Sequence, residues 1–431
     1  MMRDTTGTHD GRSPRQAVSA ADAAVTAPSS GALGELARLF LRLGFTAFGG
    51  PAAHIAMMKD EVVTRRQWMT EAQFLDLLGA TNLIPGPNST EMAIHIGFLR
   101  ERWAGLFLAG ACFILPAVLI VSVFAWAYVR FGSLPEVAAV LYSVKPVIIA
   151  VILQAIWGLL KPAVKTRFLA GLGVAALGLA LLGIDELLLL FGAGVLAGIV
   201  RWAVPPQAGE SRPSAVSLLV MLLVAAAMVL LPTALTYVGS MASPGDVGSQ
   251  GPSFGLAPLF LFFLKVGSVL YGSGYVLLAF LRDGLVTQWH WLTEAQLLDA
   301  TAVGQVTPGP VFTTATFIGY LLGGPVAALV ATLGIFLPSF VFVALSGPLV
   351  PRLRRSVLAA AFLDGVNVAA LALMTAVTWQ LGRAALVDAA TVGLAVVSAV
   401  LLVRYRVNSA WLILGAAILG ILVSMTGWYG P

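Results

Sequence analysis

Runs of about twenty apolar residues follow one another along this chain, and they leave few folds open. Trp103 to Tyr128, Val137 to Leu160, Leu187 to Val204, Ala215 to Val238, Gly324 to Val350 and Ala410 to Met425 are such runs. Each is near the length at which a helix crosses the hydrocarbon core of a bilayer, roughly 30 Å thick. Backbone in lipid must satisfy its own polar groups, so helices or a closed barrel are the options. Unbroken runs without polar alternation select helices. Only 10% of the residues are charged, against about 25% in a soluble globular chain. The expected fold is an all-α polytopic membrane protein. Residues 1–32 differ: they are polar, lack the apolar core of a signal peptide, and read as a disordered tail.

The chain contains itself twice. Pro85-Gly86-Pro87 recurs as Pro308-Gly309-Pro310, an offset of 223 residues. At that offset Gly44 meets Gly267, and Phe48-Gly49-Gly50 meets Tyr271-Gly272-Ser273. Trp68-Met69-Thr70-Glu71-Ala72-Gln73 meets Trp291-Leu292-Thr293-Glu294-Ala295-Gln296. Past Pro-Gly-Pro the offset slips to 222, pairing Gly97 with Gly319 and Pro116 with Pro338. Internal repeats of this size are a common construction of secondary transporters.

Positive charge in short loops marks the cytoplasmic side. Arg100 and Arg102, then Lys161, Lys165 and Arg167, then Arg201 and Arg212 lie two crossings apart and read as inside. The run from Ala215 to Val238 adds one crossing and leads to a loop without Lys or Arg. In the second half the twin of the Arg100 loop is uncharged, and Arg352, Arg354 and Arg355 mark the next inside loop. Corresponding loops thus face opposite sides. The reading is two inverted-topology repeats, 33–204 and 254–431, joined by a linker over 205–253 that holds one transmembrane helix, 215–238. The N-terminus is expected in the cytoplasm and the C-terminus in the periplasm.

Two segments per repeat are irregular, and they are read as broken or re-entrant helices. One holds Gly49-Gly50-Pro51 or Gly272-Ser273-Gly274, the other Pro-Gly-Pro. Two prolines each remove a backbone donor and glycine loosens the turn. Lys59, Arg65 and Arg66 between the breaks read as inside and favour hairpins in the first repeat. Thr70 and Thr293 each open a capping box. Past each break a new helix is expected, near Asn88 and near Val311. Its free N–H groups and positive dipole end, placed at membrane depth, suit an anion.

Three cations lie in apolar context: Arg42, its twin Lys265, and Lys145, whose counterpart is Asn367. Intramembrane charges face a bundle interior or cavity, or snorkel to the interface. The candidate anion-binding set is Arg42, Lys145 and Lys265, amide donors Asn82 and Gln305, and backbone near Gly49, Gly50, Asn88, Gly272, Gly274 and Val311. Asp76 and Asp299, paired by the repeat, are expected to balance cations or to couple protons. Glu91 has no acidic twin; it suits a helix N-terminus yet would repel a bound anion. No phosphate-binding glycine loop, metal-ligand spacing or nucleophile–base pair is present, so neither ATP hydrolysis nor enzymatic catalysis is expected. No cofactor, metal or nucleic-acid partner is expected.

At Gly44-Phe45-Thr46-Ala47-Phe48-Gly49-Gly50-Pro51, Pro85-Gly86-Pro87-Asn88 and Gly304-Gln305-Val306-Thr307-Pro308-Gly309-Pro310 the chain resembles the chromate ion transporter family, in its long two-repeat form. The resemblance covers nearly all of the chain past the tail. It implies a bacterial inner-membrane protein that exports chromate from the cytoplasm and confers chromate resistance, with sulfate as the related oxyanion. The second repeat departs from the family's glycine-proline form at Gly272-Ser273-Gly274-Tyr275. Transport of sulfate or another oxyanion is the alternative. An intramembrane enzyme acting on a phosphate-bearing lipid is the alternative of another class. A homodimer is left open.

Overall fold

The computed structural model describes residues 31–48, 50–132, 134–205, 213–241, 253–271, 276–354 and 356–425. The polar tail lies outside them except for Gly31 and Ala32, and Ala32 already opens the first helix. Gly49, Gly272 and Gly274 also lie outside the described residues.

Among the described residues the protein is helical, without strands. The first repeat runs through α1 (Ala32–Thr46), α2 (Gly50–Lys59, widening into a π-helical turn over Asp60–Arg65), α3 (Glu71–Thr81), α4 (Asn88–Phe131), α5 (Pro135–Ala163), α6 (Arg167–Leu181) and α7 (Glu186–Ala203). Helix α8 (Ala215–Met241) links it to α9 (Leu256–Val269), α10 (Leu277–Leu281, widening over Arg282–Gln288) and α11 (Glu294–Val306). A 3-10 turn, Val311–Thr313, leads into α12 (Thr314–Arg354). Then come α13 (Val357–Ala385), α14 (Ala389–Arg404) and α15 (Ser409–Met425). Seven helices thus match seven, with α8 between them.

Neither α4 nor α12 is a straight rod. The backbone turns at Glu101 and Arg102 in α4, and at the twin positions Gly323 and Gly324 in α12. Arg102 and Gly324 have positive φ, 50° and 70°. The chain doubles back there. A Cβ on Gly97 would overlap the carbonyl oxygen of Gly105, and one on Gly319 would stand 2.5 Å from that of Ala327. Residues eight apart in one helix would be about 12 Å apart, so these contacts require two antiparallel arms. The first arm of α4, 88–100, is about 20 Å long and cannot span the bilayer alone.

The bases of the short helices fix how they enter. The guanidinium of Arg100 lies 4.7 Å from the ring centre of Trp68, just before α3, and 3.7 Å from Glu35 near the start of α1. The second repeat repeats this in aromatic form. Phe254 precedes α9, Trp291 precedes α11, and their rings are 5.3 Å apart. A Cβ on Gly323 would press on Phe254. Both α3 with the first arm of α4, and α11 with the first arm of α12, are therefore helical hairpins with Pro-Gly-Pro at the tip. The hairpin form favoured for the first repeat is found at the Pro-Gly-Pro segment of each repeat. Both capping boxes form, with Thr70 N–H donating to Gln73 Oε1 at 2.9 Å and Gln73 N–H to Thr70 Oγ1 at 3.2 Å. The Thr293 pair measures 2.9 and 3.1 Å.

Side chains along the α4–α12 seam show the inversion. Glu91 lies by Ser339, and His95 Nε2 is 3.4 Å from Ser346 Oγ. Both numbers rise together, so the first arm of α4 runs parallel to the second arm of α12. It is then antiparallel to the first arm of α12, its own counterpart. The repeats also exchange helices: α13 packs on α6 and α7, while α5 packs on α14 and α15. Large apolar residues recur every fourth position on the outer face of α4 (Leu115, Leu119, Val123) and α12 (Leu337, Val341, Leu345). An exposed apolar stripe of that kind faces lipid.

Candidate functional site

Each hairpin tip closes on the chain break of the other repeat. Gly86 N–H donates to the carbonyl of Leu270 at 2.8 Å, just past α9. Gly309 N–H donates to the carbonyl of Ala47 at 3.0 Å, just past α1. Gly86 and Gly309 are twins, as are Ala47 and Leu270. His54 Nε2 also lies 3.0 Å from the Ala47 oxygen. Gly86 and Gly309 adopt φ of 135° and 96°, conformations open to glycine and costly for other residues. The helix breaks thus pair across the pseudo-twofold axis.

Each tip hands over to a fresh helix end. In α4 the Thr90 and Glu91 amides turn back to the Pro87 carbonyl at 2.8 and 3.0 Å. The first N–H groups of a helix lack intrahelical acceptors, so α4 offers the amides of Asn88 and Ser89. Asn88 Nδ2 donates to Asn82 Oδ1 at 2.7 Å, so these two candidate residues bridge their own break. In the second repeat Thr313 N–H donates to the Pro310 carbonyl at 3.0 Å. Thr313 Oγ1 and Thr314 Oγ1 donate to the carbonyls of Pro310 and Val311, each at 2.8 Å. Gln305 is buried on α11. Gly50, with φ of 81°, opens α2.

Arg42 and Lys145 are paired with acids, and Lys265 lies in the field of one. Arg42, half exposed on α1, donates through Nη2 to Glu61 Oε1. Glu61 is buried and also takes Arg65 at 3.4 Å and Arg66 at 3.2 Å. Lys265 lies in electrostatic range of Glu186, at the start of α7, which shares a hydrogen bond with Asp283. Lys145 pairs with Asp299 at 3.2 Å, and Tyr128 Oη donates to Asp299 Oδ2 at 2.9 Å. A lone cation at membrane depth would cost several kcal/mol, which accounts for the partners. Asp299 is almost fully buried, whereas Asp76 is exposed on α3.

Glu91 stands apart. It is fully buried, and neither carboxylate oxygen has a hydrogen-bond partner among the described residues. A Cβ on Gly86 would overlap Glu91 Oε1 and lie 2.9 Å from Ser339 Oγ, which is likewise unpartnered.

Glu61, Glu186, Tyr128 and Ser339 take part in these contacts and were not singled out from sequence. Glu61 carried a faint signal, as a third charge beside Lys59 and Asp60. Tyr128 carried none, since it meets Asp299 across 171 positions. Among the described residues no group of three His, Cys, Asp or Glu side chains is placed to hold a metal.

The family model described as "Chromate transporter" matches residues 34–199 and 257–421, one span in each repeat, with α8 between them. The chromate transport protein of Cupriavidus metallidurans is 34% identical over 406 residues, 93% of this chain and 96% of that one. The chromate transport protein of Pseudomonas aeruginosa is 30% identical over 420 residues, 95% of this chain and 96% of its own. A probable chromate transport protein of Synechococcus elongatus is 31% identical over 361 residues, 83% of this chain and 87% of its own. No solved structure matches the chain.

Proposed function

The chain belongs to the chromate transporter family, and from that premise we propose that it exports chromate from the cytoplasm through the inner membrane, so conferring chromate resistance. The observation that carries the reading is the reciprocal pair of tip hydrogen bonds, Gly86 to Leu270 and Gly309 to Ala47. Each bond sets a new helix N-terminus beside the chain break of the other repeat, and the amides and dipole of such an end favour an oxyanion. The amides of Asn88, Ser89 and Val311 hydrogen-bond the anion. Arg42 and Lys265, from the helices that end at the same breaks, supply positive potential. Arg42 exchanges Glu61 for the dianion as it passes. Asn82 releases Asn88 for the same purpose.

Rocking of one repeat against the other opens the site to each side in turn. The positive-inside pattern places the face of Arg100 in the cytoplasm. A negative-inside potential then drives a dianion outward by about 2.3 kcal/mol per charge per 100 mV, with no need of ATP.

Purified protein in liposomes loaded with chromate tests this. Efflux should exceed that of protein-free vesicles and accelerate under a lumen-negative potassium diffusion potential. Chromate that stays inside at the protein-free rate would sink the assignment. Sulfate added to the same vesicles separates the runner-up: strong competition widens the substrate class to tetrahedral oxyanions.

A further inference from the structure

Glu91 poses a chemical problem for an anion site. A carboxylate removed from water needs donors or a cation. Glu91 has neither among the described residues, and it occupies the fourth position of the helix that would hold the anion. Three more features surround it. Thr90 Oγ1 and Ser339 Oγ are also buried without hydrogen-bond partners among the described residues. Tyr271, just past the Leu270 carbonyl that Gly86 bonds, lies within electrostatic range. One turn along the same arm, His95 meets Ser346, seven residues on from Ser339. Elsewhere this seam is apolar, with Ile94, Leu106 and Val343. Glu91, Ser339, His95 and Ser346 therefore form a polar stripe from the tip toward the face of Arg100.

The other charged groups nearby are committed elsewhere. Arg42 of α1 turns to Glu61, and His54 of α2 to the Ala47 carbonyl. Asp299 of α11 is held by Lys145 and Tyr128, and Asp76 of α3 is exposed. The second repeat has Thr313 where the first has Glu91, and Ala117 where the first meets Ser339. The polar pair exists once per molecule.

We propose that Glu91 is the proton carrier of the transport cycle. It takes a proton from water along the His95–Ser346 stripe when the anion loads, and returns it to water when the anion leaves. The inference rests on the anion-transport reading and adds its coupling ion. A charged Glu91 repels an anion at the same helix start; a neutral one does not. Proton and anion therefore favour each other's binding and travel in the same direction, one proton per anion.

The test uses the full chain in liposomes, with chromate in the lumen and a pH-sensitive dye beside it. Wild-type efflux should make the lumen more alkaline, by about one proton for each chromate lost. Glu91→Gln should still move chromate, without that pH change. Its apparent affinity for chromate should also lose the Glu91 component of pH dependence, up to about tenfold per pH unit. Any titration of chromate itself is common to both proteins. Should Glu91→Gln fail to fold, the wild-type dye record decides alone. Chromate efflux without protons, or with protons running the opposite way, overturns the proposal. Equal pH profiles for wild type and Glu91→Gln overturn it too. An absence of chromate flux in the wild type instead removes the transport reading, and this proposal with it.

Discussion

The two hairpin tips share a backbone and differ in what surrounds it. Both carry Pro-Gly-Pro, both place a glycine at positive φ, and both donate that glycine's N–H to the other repeat. Around the second tip the hydroxyls are satisfied at once, Thr313 on the Pro310 carbonyl and Thr314 on that of Val311. Around the first, the side-chain oxygens of Thr90, Glu91 and Ser339 are buried with no hydrogen-bond partner among the described residues. The charges diverge in the same way. Asp299 of the second hairpin is buried with Lys145 and Tyr128, whereas its twin Asp76 is exposed. Duplication thus supplied the scaffold, and substitution at a few twin positions gave the two tips different polar surroundings.

This contrast can be broken at several points. Asp299→Ala leaves part-buried Lys145 without its acid, and should destabilise the protein by about 3 kcal/mol. Asp76→Ala, at an exposed site, should lose no more than about 1 kcal/mol. Thermal unfolding in detergent compares the two, and equal losses would erase the claimed difference. Combining Asp299→Leu with Lys145→Met should recover much of the loss.

The tip glycines come next. Gly86→Ala and Gly309→Ala each force a side chain into positive φ, at about 1–3 kcal/mol. At Gly86 the new methyl also overlaps buried Glu91, and at Gly309 it meets Ala117 Cβ at 2.9 Å. Efflux should fall at least tenfold in both. Near-normal efflux in either variant would show that its tip bond is dispensable.

Gly44 and Gly267 test the close approach of α1 and α9 to the long helices. A Cβ at Gly44 would lie 2.9 Å from the Phe113 carbonyl oxygen, and one at Gly267 would overlap that of Ile335. Alanine at either should cost about 1–3 kcal/mol, more at Gly267. The reverse order of melting temperatures would contradict the geometry. The smallest effects belong to the capping boxes. Thr70→Ala and Thr293→Ala should each cost about 1 kcal/mol, alike in the two halves, as melting of the two variants side by side would show.

Much of the architecture was legible before any coordinates. Run length specified membrane helices, and the 223-residue offset specified the repeat. Loop charge indicated the inversion that the Glu91–Ser339 and His95–Ser346 register bears out. The helix starts at Asn88 and just past Pro310 follow from proline, which cannot continue a helix from its own N–H. The partners were not legible. Arg42 and Lys265 read as cations looking for an anion, because the carboxylates near them lie elsewhere in sequence. Glu61 arrives from a π-helical turn and Glu186 from the start of α7.

The amino-acid sequence alone determined that this chain crosses membranes as helices, twice over in opposite senses, and breaks them at matched places. Those properties are local, since they depend on hydropathy, chain length and the missing N–H of proline. Only the tertiary structure decided that each break closes on the other repeat, and that one tip keeps a buried acid without a hydrogen-bond partner among the described residues while its twin does not. Such facts come from contacts between segments more than a hundred residues apart. Burial and hydrogen bonding there set the energy of a charge, and no linear spacing records them.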